Sequence, residues 1–161
     1  MYVEFHELQD TSRIWVYQSN REFSDEEVKE IGSRLQAFIG QWTRHGDDLR
    51  ASYSILYNHF IILAVDESFS QVSGCSIDAS THLFQGIEQS LQVELLNKLN
   101  TAFRNGKHIN VVSLADFQKY VKEERIQPGT TVFNNLVQTK KELETSWEVP
   151  AEKSWHRRYF T

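Results

Sequence analysis

Hydrophobic positions along this chain recur with two different periods, and the places where the period changes divide it into elements. Arg13 to Gln18 (RIWVYQ) is rich in β-branched and aromatic residues and reads as a strand. Ser24 then opens a helix, with Glu27 at the capping-box position. Val28, Ile31, Leu35, Phe38, Ile39 and Trp42 follow at helical spacing along one face, and Gly46-Asp47-Asp48 ends the unit. Arg50 to Tyr57 alternates, with Ala51, Tyr53, Ile55 and Tyr57 on one side and Ser52 and Ser54 on the other, as a half-buried strand does. Asn58-His59 makes a tight connection, and Phe60 to Val65 is a continuous apolar run. The two strands predict an antiparallel hairpin at the centre of a sheet.

A second helix is expected after the loop at 66–73, capped by Ser76 or Asp78, with Leu83, Phe84, Ile87 and Leu91 as its apolar stripe. The spacing of Leu95, Leu99 and Phe103 continues the helical pattern from Glu94 to Arg104. Asn105-Gly106 would end it with a left-handed residue, or would instead form a hairpin turn. Ile109 to Ser113 reads as a short strand, and Ser113 as the cap of a helix carrying Leu114, Phe117 and Val121. Pro128-Gly129 breaks the chain. Thr130 or Thr131 then opens a last helix with Phe133, Leu136, Val137, Leu143 and Trp147. The order β-α-β-β-α-β matches the split βαβ, or ferredoxin-like, motif. The fold expected is α+β: a four-stranded antiparallel sheet with helices on one face and a C-terminal helical extension. One domain spans 1–145, and an irregular aromatic and basic tail, 146–161, docks on it through Trp147 and Trp155, which are costly to leave exposed.

Composition narrows the classes. A length of 161 residues with 40% hydrophobic and 12% aromatic residues suits one folded domain and argues against disorder. The net charge of -5 disfavours a nucleic-acid partner, because phosphate binding needs a basic surface. A single cysteine allows no internal disulfide and fits a reducing compartment. The start MYVEFHELQD has no apolar core of a secretory signal. The longest strongly apolar run, Phe60 to Val65, falls far short of the roughly 20 residues that span a bilayer. A cytoplasmic protein with no membrane span is expected.

Candidate chemistry concentrates after the apolar strand, in FIILAVDESFSQVSGCSID (60–78). Cys75 stands beside Gly74 at a helix start, where N–H groups and the macrodipole favour a thiolate, while Asp78 opposes one. His82, or His59, could serve as a base for a nucleophilic or redox-sensing thiol. The alternative is an unactivated cysteine that behaves as a small hydrophobe. The same loop could bind an anion: Gly74 permits close backbone approach, and Ser73 and Ser76 can donate hydrogen bonds. Asp66 and Glu67 could hold Mg²⁺, but no further acid cluster has ligand spacing, and a solvated strand end is the simpler reading. The histidines form no His-x-x-His pair, and no Cys-x-x-Cys, Gly-x-Ser-x-Gly or His-Glu-x-x-His motif occurs, so neither a metal nor another cofactor is implied. The WHRRYF end has the composition of an interaction hot spot.

The segments SRIWVYQSNREFS, GCSIDAS and SWHRRYF make the whole chain resemble a bacterial family whose members often carry the label "ABC transporter ATPase". Ile61 to Glu67 looks like a Walker B strand, and Val72-Ser73-Gly74-Cys75 resembles the start of a signature loop, in reversed order. The phosphate loop is absent: Gly106-Lys107 is followed by His108, and position 101 is Thr rather than Gly. The resemblance implies a widespread soluble bacterial protein and supplies no ATPase residues. The function expected is a non-catalytic module that binds a small anionic ligand or a protein partner through Ser73, Gly74, Cys75, Ser76 and Asp78. The alternative is a small thiol enzyme or sensor using Cys75 and His82.

Overall fold

Phe60–Val65 is apolar throughout because it is the middle strand of a sheet covered on both faces. The structure, a computed structural model, describes residues 1–44, 46–68 and 72–161. In chain order the elements are β1 (Arg13–Gln18), α1 (Asp25–Gln41), β2 (Thr43–Arg44), β3 (Asp47–Asp48), β4 (Ala51–Leu56), β5 (Phe60–Val65) and α2 (Gly74–Leu91). They continue with β6 (Asn100–Asn105), β7 (His108–Ser113), α3 (Leu114–Lys122), β8 (Thr131–Phe133), α4 (Lys140–Ser146) and β9 (Glu148–Pro150). Short 3₁₀ turns occupy Phe5–Glu7, Ala151–Lys153 and Trp155–Phe160.

The first sheet has the order β1-β5-β4, antiparallel throughout. Side chains alternate along a strand, so β5 feeds two cores. Ile61, Leu63 and Val65 pack with Ile31, Leu35 and Ile39 of α1 and with Phe84 and Ile87 of α2. Phe60, Ile62 and Ala64 face the other way and pack with Ala102, Phe133, Leu143 and Trp147. Those partners belong to, or flank, a second antiparallel sheet of order β7-β6-β8-β9. The outer face of that sheet carries a third core, where Phe103, Val132 and Ala151 meet Phe117 of α3 and Ile126. The layers therefore run helices, sheet, sheet, then α3 with the C-terminal turns. No described helix is long and apolar enough to cross a membrane.

The α+β class and the first half of the chain follow the hydrophobic pattern. Ser24 caps α1, its Oγ accepting the Glu27 N–H while Glu27 accepts the Ser24 N–H. The β4–β5 hairpin forms with Asn58 at φ 53°, and Tyr57 also takes a positive φ of 55°. The second half departs from the pattern. Residues 100–105 are strand β6, not helix: Ala102 and Phe103 bury on opposite faces, and Leu99 is 62% exposed. The helical spacing of 95, 99 and 103 is thus coincidental. The Asn105-Gly106 step takes its hairpin alternative, with Asn105 opposite His108 and Gly106 at φ 64° leading a two-residue turn. Thr131 likewise opens strand β8 rather than a helix, because Val132 and Phe133 feed two different cores; the helix begins only after Thr139, which caps α4. The tail read as irregular contains β9, paired with β8.

The four strands of a ferredoxin-like sheet do not share one sheet. The strand at 108–113 pairs with β6 in the second sheet, while the first holds only three. The strand that resembles Walker B is flanked on both sides by antiparallel partners, and Gly106-Lys107 forms a hairpin turn rather than a strand-to-helix loop.

Candidate functional site

The turn singled out in the sequence, 73–78, is the first turn of α2, and it abuts the end of α1. Phe69 to Gln71, in the loop leading into it, lie outside the described residues. The cap is Ser73 and not Ser76 or Asp78: Ser73 Oγ accepts the Ser76 N–H at 3.2 Å. Ser76, 4% exposed, sits three positions in and donates its hydroxyl proton to the Thr43 carbonyl at 2.7 Å. Because that proton is committed, the 2.9 Å contact between the two hydroxyls is a bond from Ser73 to Ser76. Trp42 adds a third tie, its indole N–H donating to the Ser76 carbonyl at 2.9 Å. Both serine hydroxyls are thus turned inward, fastening α2 to the end of α1. Gly74 is not demanded by crowding, since a Cβ built there meets nothing within 4 Å.

A cavity of about 410 Å³ lies in this junction. Phe38, Trp42 and Ala79 supply apolar lining, and Thr43, Ser73 and Cys75 stand with them. The Phe38 and Trp42 rings lie 5.1 Å apart and tilted, and Trp15 meets Trp42 edge-on from β1. Cys75 is exposed and free. Asp78 is exposed and does not line the cavity. His82 is exposed seven residues further along α2, about 10 Å up the helix axis and beyond hydrogen-bond reach of the thiol. His59 lines a different cavity. The turn therefore presents an accessible thiol beside an aromatic surface, and neither histidine is placed as its base.

Asp66 is not a solvated strand end. It is 7% exposed, lies 3.9 Å from the Arg50 guanidinium, and accepts the Ser68 N–H through Oδ1 at 2.9 Å. Glu67 accepts the Val72 N–H at 2.9 Å. Both acids organise the loop. Among the described residues, no group of three or more His, Cys, Asp and Glu side chains converges as a metal site would require.

A second cavity, of about 750 Å³, lies at the opposite end of the first sheet. The 20–21 turn, His59, the β6–β7 hairpin and the segment from Tyr120 to Thr130 enclose it. Arg21, Arg104 and Arg125 all line it. Sequence reading did not bring these residues together, because they come from well-separated segments with no shared motif. The aromatic lining of the first cavity had a visible signal, the Phe38–Trp42 step at helical spacing, which reads equally as core.

These features define an α+β protein of two stacked antiparallel sheets with an aromatic-lined cleft at a helix start. No family model, curated protein or solved structure matches the chain.

Proposed function

We propose that this chain is a non-catalytic, cytoplasmic binding module whose cleft between the end of α1 and the first turn of α2 seats a small ligand carrying an apolar or aromatic group. The observation that carries the reading is the cavity of about 410 Å³ beside Phe38 and Trp42, within the size range of ligand pockets. The inward-turned hydroxyls of Ser73 and Ser76 favour such a ligand over a bare anion, since the groups that would greet an anion are engaged with Thr43 and the helix cap. Fragment screening by NMR on the intact labelled protein tests it. Aromatic fragments are expected to shift the Trp42 indole and Cys75 amide signals together. Ala79→Phe, at an exposed position lining the cavity, should block them. Fragments that leave α1 and α2 unperturbed, or that bind Ala79→Phe equally well, would overturn the reading.

The thiol alternative rests on the exposure of Cys75. The module reading expects iodoacetamide to label Cys75 no faster than it labels glutathione at neutral pH, and Cys75→Ser to preserve the fold and fragment binding. Labelling about tenfold faster than the free thiol would put the thiol enzyme first, because such acceleration requires an activated thiolate.

A further inference from the structure

We propose that the larger cavity is a separate site for a small, hydroxyl-bearing phosphate ester of the sugar-phosphate type. Its lining runs against the charge of the whole molecule. The chain has 22 acids against 17 Lys and Arg, yet three arginines and no carboxylate line this cavity.

The three arginines are not equivalent. Arg21 is spent: its Nη1 and Nη2 bind Glu27 at 2.8 and 2.7 Å, and Nη2 also donates to the Leu91 carbonyl. Arg104 gives its Nε to Glu148, and its guanidinium lies 4.7 Å over the Tyr57 ring. Those two contacts orient the group and leave its Nη pair as spare donors. Arg125 lies 4.3 Å over the Tyr120 ring, and its contact with Glu123 is 3.8 Å between largely exposed side chains. An exposed pair of that length contributes little, so Arg125 keeps nearly its full charge for a ligand. Two oriented forks, on β6 and just after α3, suit the bidentate recognition that guanidinium offers to phosphate.

The rest of the lining fits a polyhydroxylated body. His59 is 8% exposed, and its Nδ1 lies 3.1 Å from the Tyr57 carbonyl. That carbonyl can only accept, so Nδ1 carries the proton and the neutral ring keeps Nε2 as an acceptor. Nε2 has no hydrogen-bond partner among the described residues, which leaves it for a ligand hydroxyl. Asn105 and Asn110 add side-chain amides that donate and accept. A volume of about 750 Å³ exceeds what a bare phosphate ion fills and matches a ligand of metabolite size. Nucleic acid is disfavoured by the net charge of -5 and by the enclosure of the arginines in a cavity rather than along a stripe.

Calorimetry and NMR on the intact chain, with ribose 5-phosphate, ribose and inorganic phosphate as separate probes, test this site. The ester is expected to bind saturably and about tenfold or more tighter than either half, shifting the amides of 105–110 and the His59 ring. Arg125→Gln, an exposed change that cannot disturb the core, should weaken it about tenfold. Arg104→Gln should do the same, while Arg158→Gln, an arginine outside the cavity, should have no effect. Equal binding of phosphate and the ester would mean an adventitious anion site only. Absence of saturable ester binding, or an Arg125→Gln variant indistinguishable from the parent, would also overturn the proposal. Shifts confined to Trp42 and Cys75 would place the ester in the other cleft and refute this one without touching the module reading.

Discussion

His156 carries the clearest consequence of burying a single polar side chain. It is fully buried, with its ring stacked on Trp155 at 3.8 Å and 5.3 Å from Phe117. Ser154 Oγ engages Nδ1, while Nε2 has no partner among the described residues. Burial, and secondarily the positive charge of Arg158, lowers its pKa from 6.5 to about 4. The unfolded chain therefore takes up a proton at higher pH than the folded one. Stability from this group is complete above pH 6.5, drains away between 6.5 and 4, and is gone below that. The full difference approaches about 3 kcal/mol. Urea unfolding at pH 7.5 and 4.5 should show that loss, and His156→Phe should remove most of it. Parallel declines in parent and variant would assign the acid sensitivity to other groups. The polar chain at Trp147 shows the same principle with every partner supplied. The indole donates to Asn135 Oδ1 at 2.9 Å, Asn135 donates to Gln18 Oε1 at 2.9 Å, and Gln18 donates to the Asn100 carbonyl at 3.0 Å. Trp147→Phe keeps the ring and strips the first donor. It should cost about 1–3 kcal/mol by chemical denaturation, the penalty for an orphaned buried acceptor. A cost near zero would mean that water replaces the indole there.

At the scale of elements, the legible parts of the chain are those whose local chemistry and tertiary role agree. The start of α1 is written in Ser24 and Glu27, and Arg21 reinforces it, holding the Glu27 pKa down to about 2 together with the Ser24 N–H. Ser24→Ala should cost about 1 kcal/mol, seen as a fall of roughly 2–4 °C in melting temperature for a domain of this size. No change would mean that packing of Ile31, Leu35 and Ile39 alone fixes the helix start. Strands of the second sheet were illegible for a physical reason. β6 and β8 are buried on both faces, so apolar residues stand side by side, as in Ala102-Phe103 and Val132-Phe133, and the period of two disappears. Leu95, Leu99 and Phe103 then mimic a helical stripe, although only the first and last are buried. The helix start at Ser73 was legible as a place, and its cap was misassigned by three residues because any serine in the run can cap in isolation. The arginines of the larger cavity had no local signal: what assembles them is the stacking of two sheets.

The whole molecule depends on that stacking, and the chain's last residues complete it. β9 pairs with β8 through Thr131–Pro150, Val132–Val149 and Phe133–Glu148. Glu148 at its head binds both Arg104 and the Tyr57 hydroxyl, joining the second sheet to the β4–β5 turn of the first. Trp147 is packed between the sheets with Phe60 and Phe133, at ring separations of 4.9 and 5.0 Å. Beyond it, Ala151 is fully buried, and Tyr159 and Phe160 pack against the core that holds Phe117. Deleting 146–161 would therefore remove an edge strand, a buried tryptophan and one side of the outer core together. Losing the tryptophan alone costs about 3–5 kcal/mol, against a total stability of about 5–15 kcal/mol for a domain. The truncated chain is expected to lose cooperative melting near physiological temperature and to bind a hydrophobic dye at 25 °C, where the full chain does not. Because Glu148 orients Arg104, the milder Glu148→Gln should retain the fold and still loosen the grip of the larger cavity on ribose 5-phosphate. A truncated protein that melts like the parent would show that the first sheet and its helices stand alone, and that the second sheet is an accessory layer rather than half of one core.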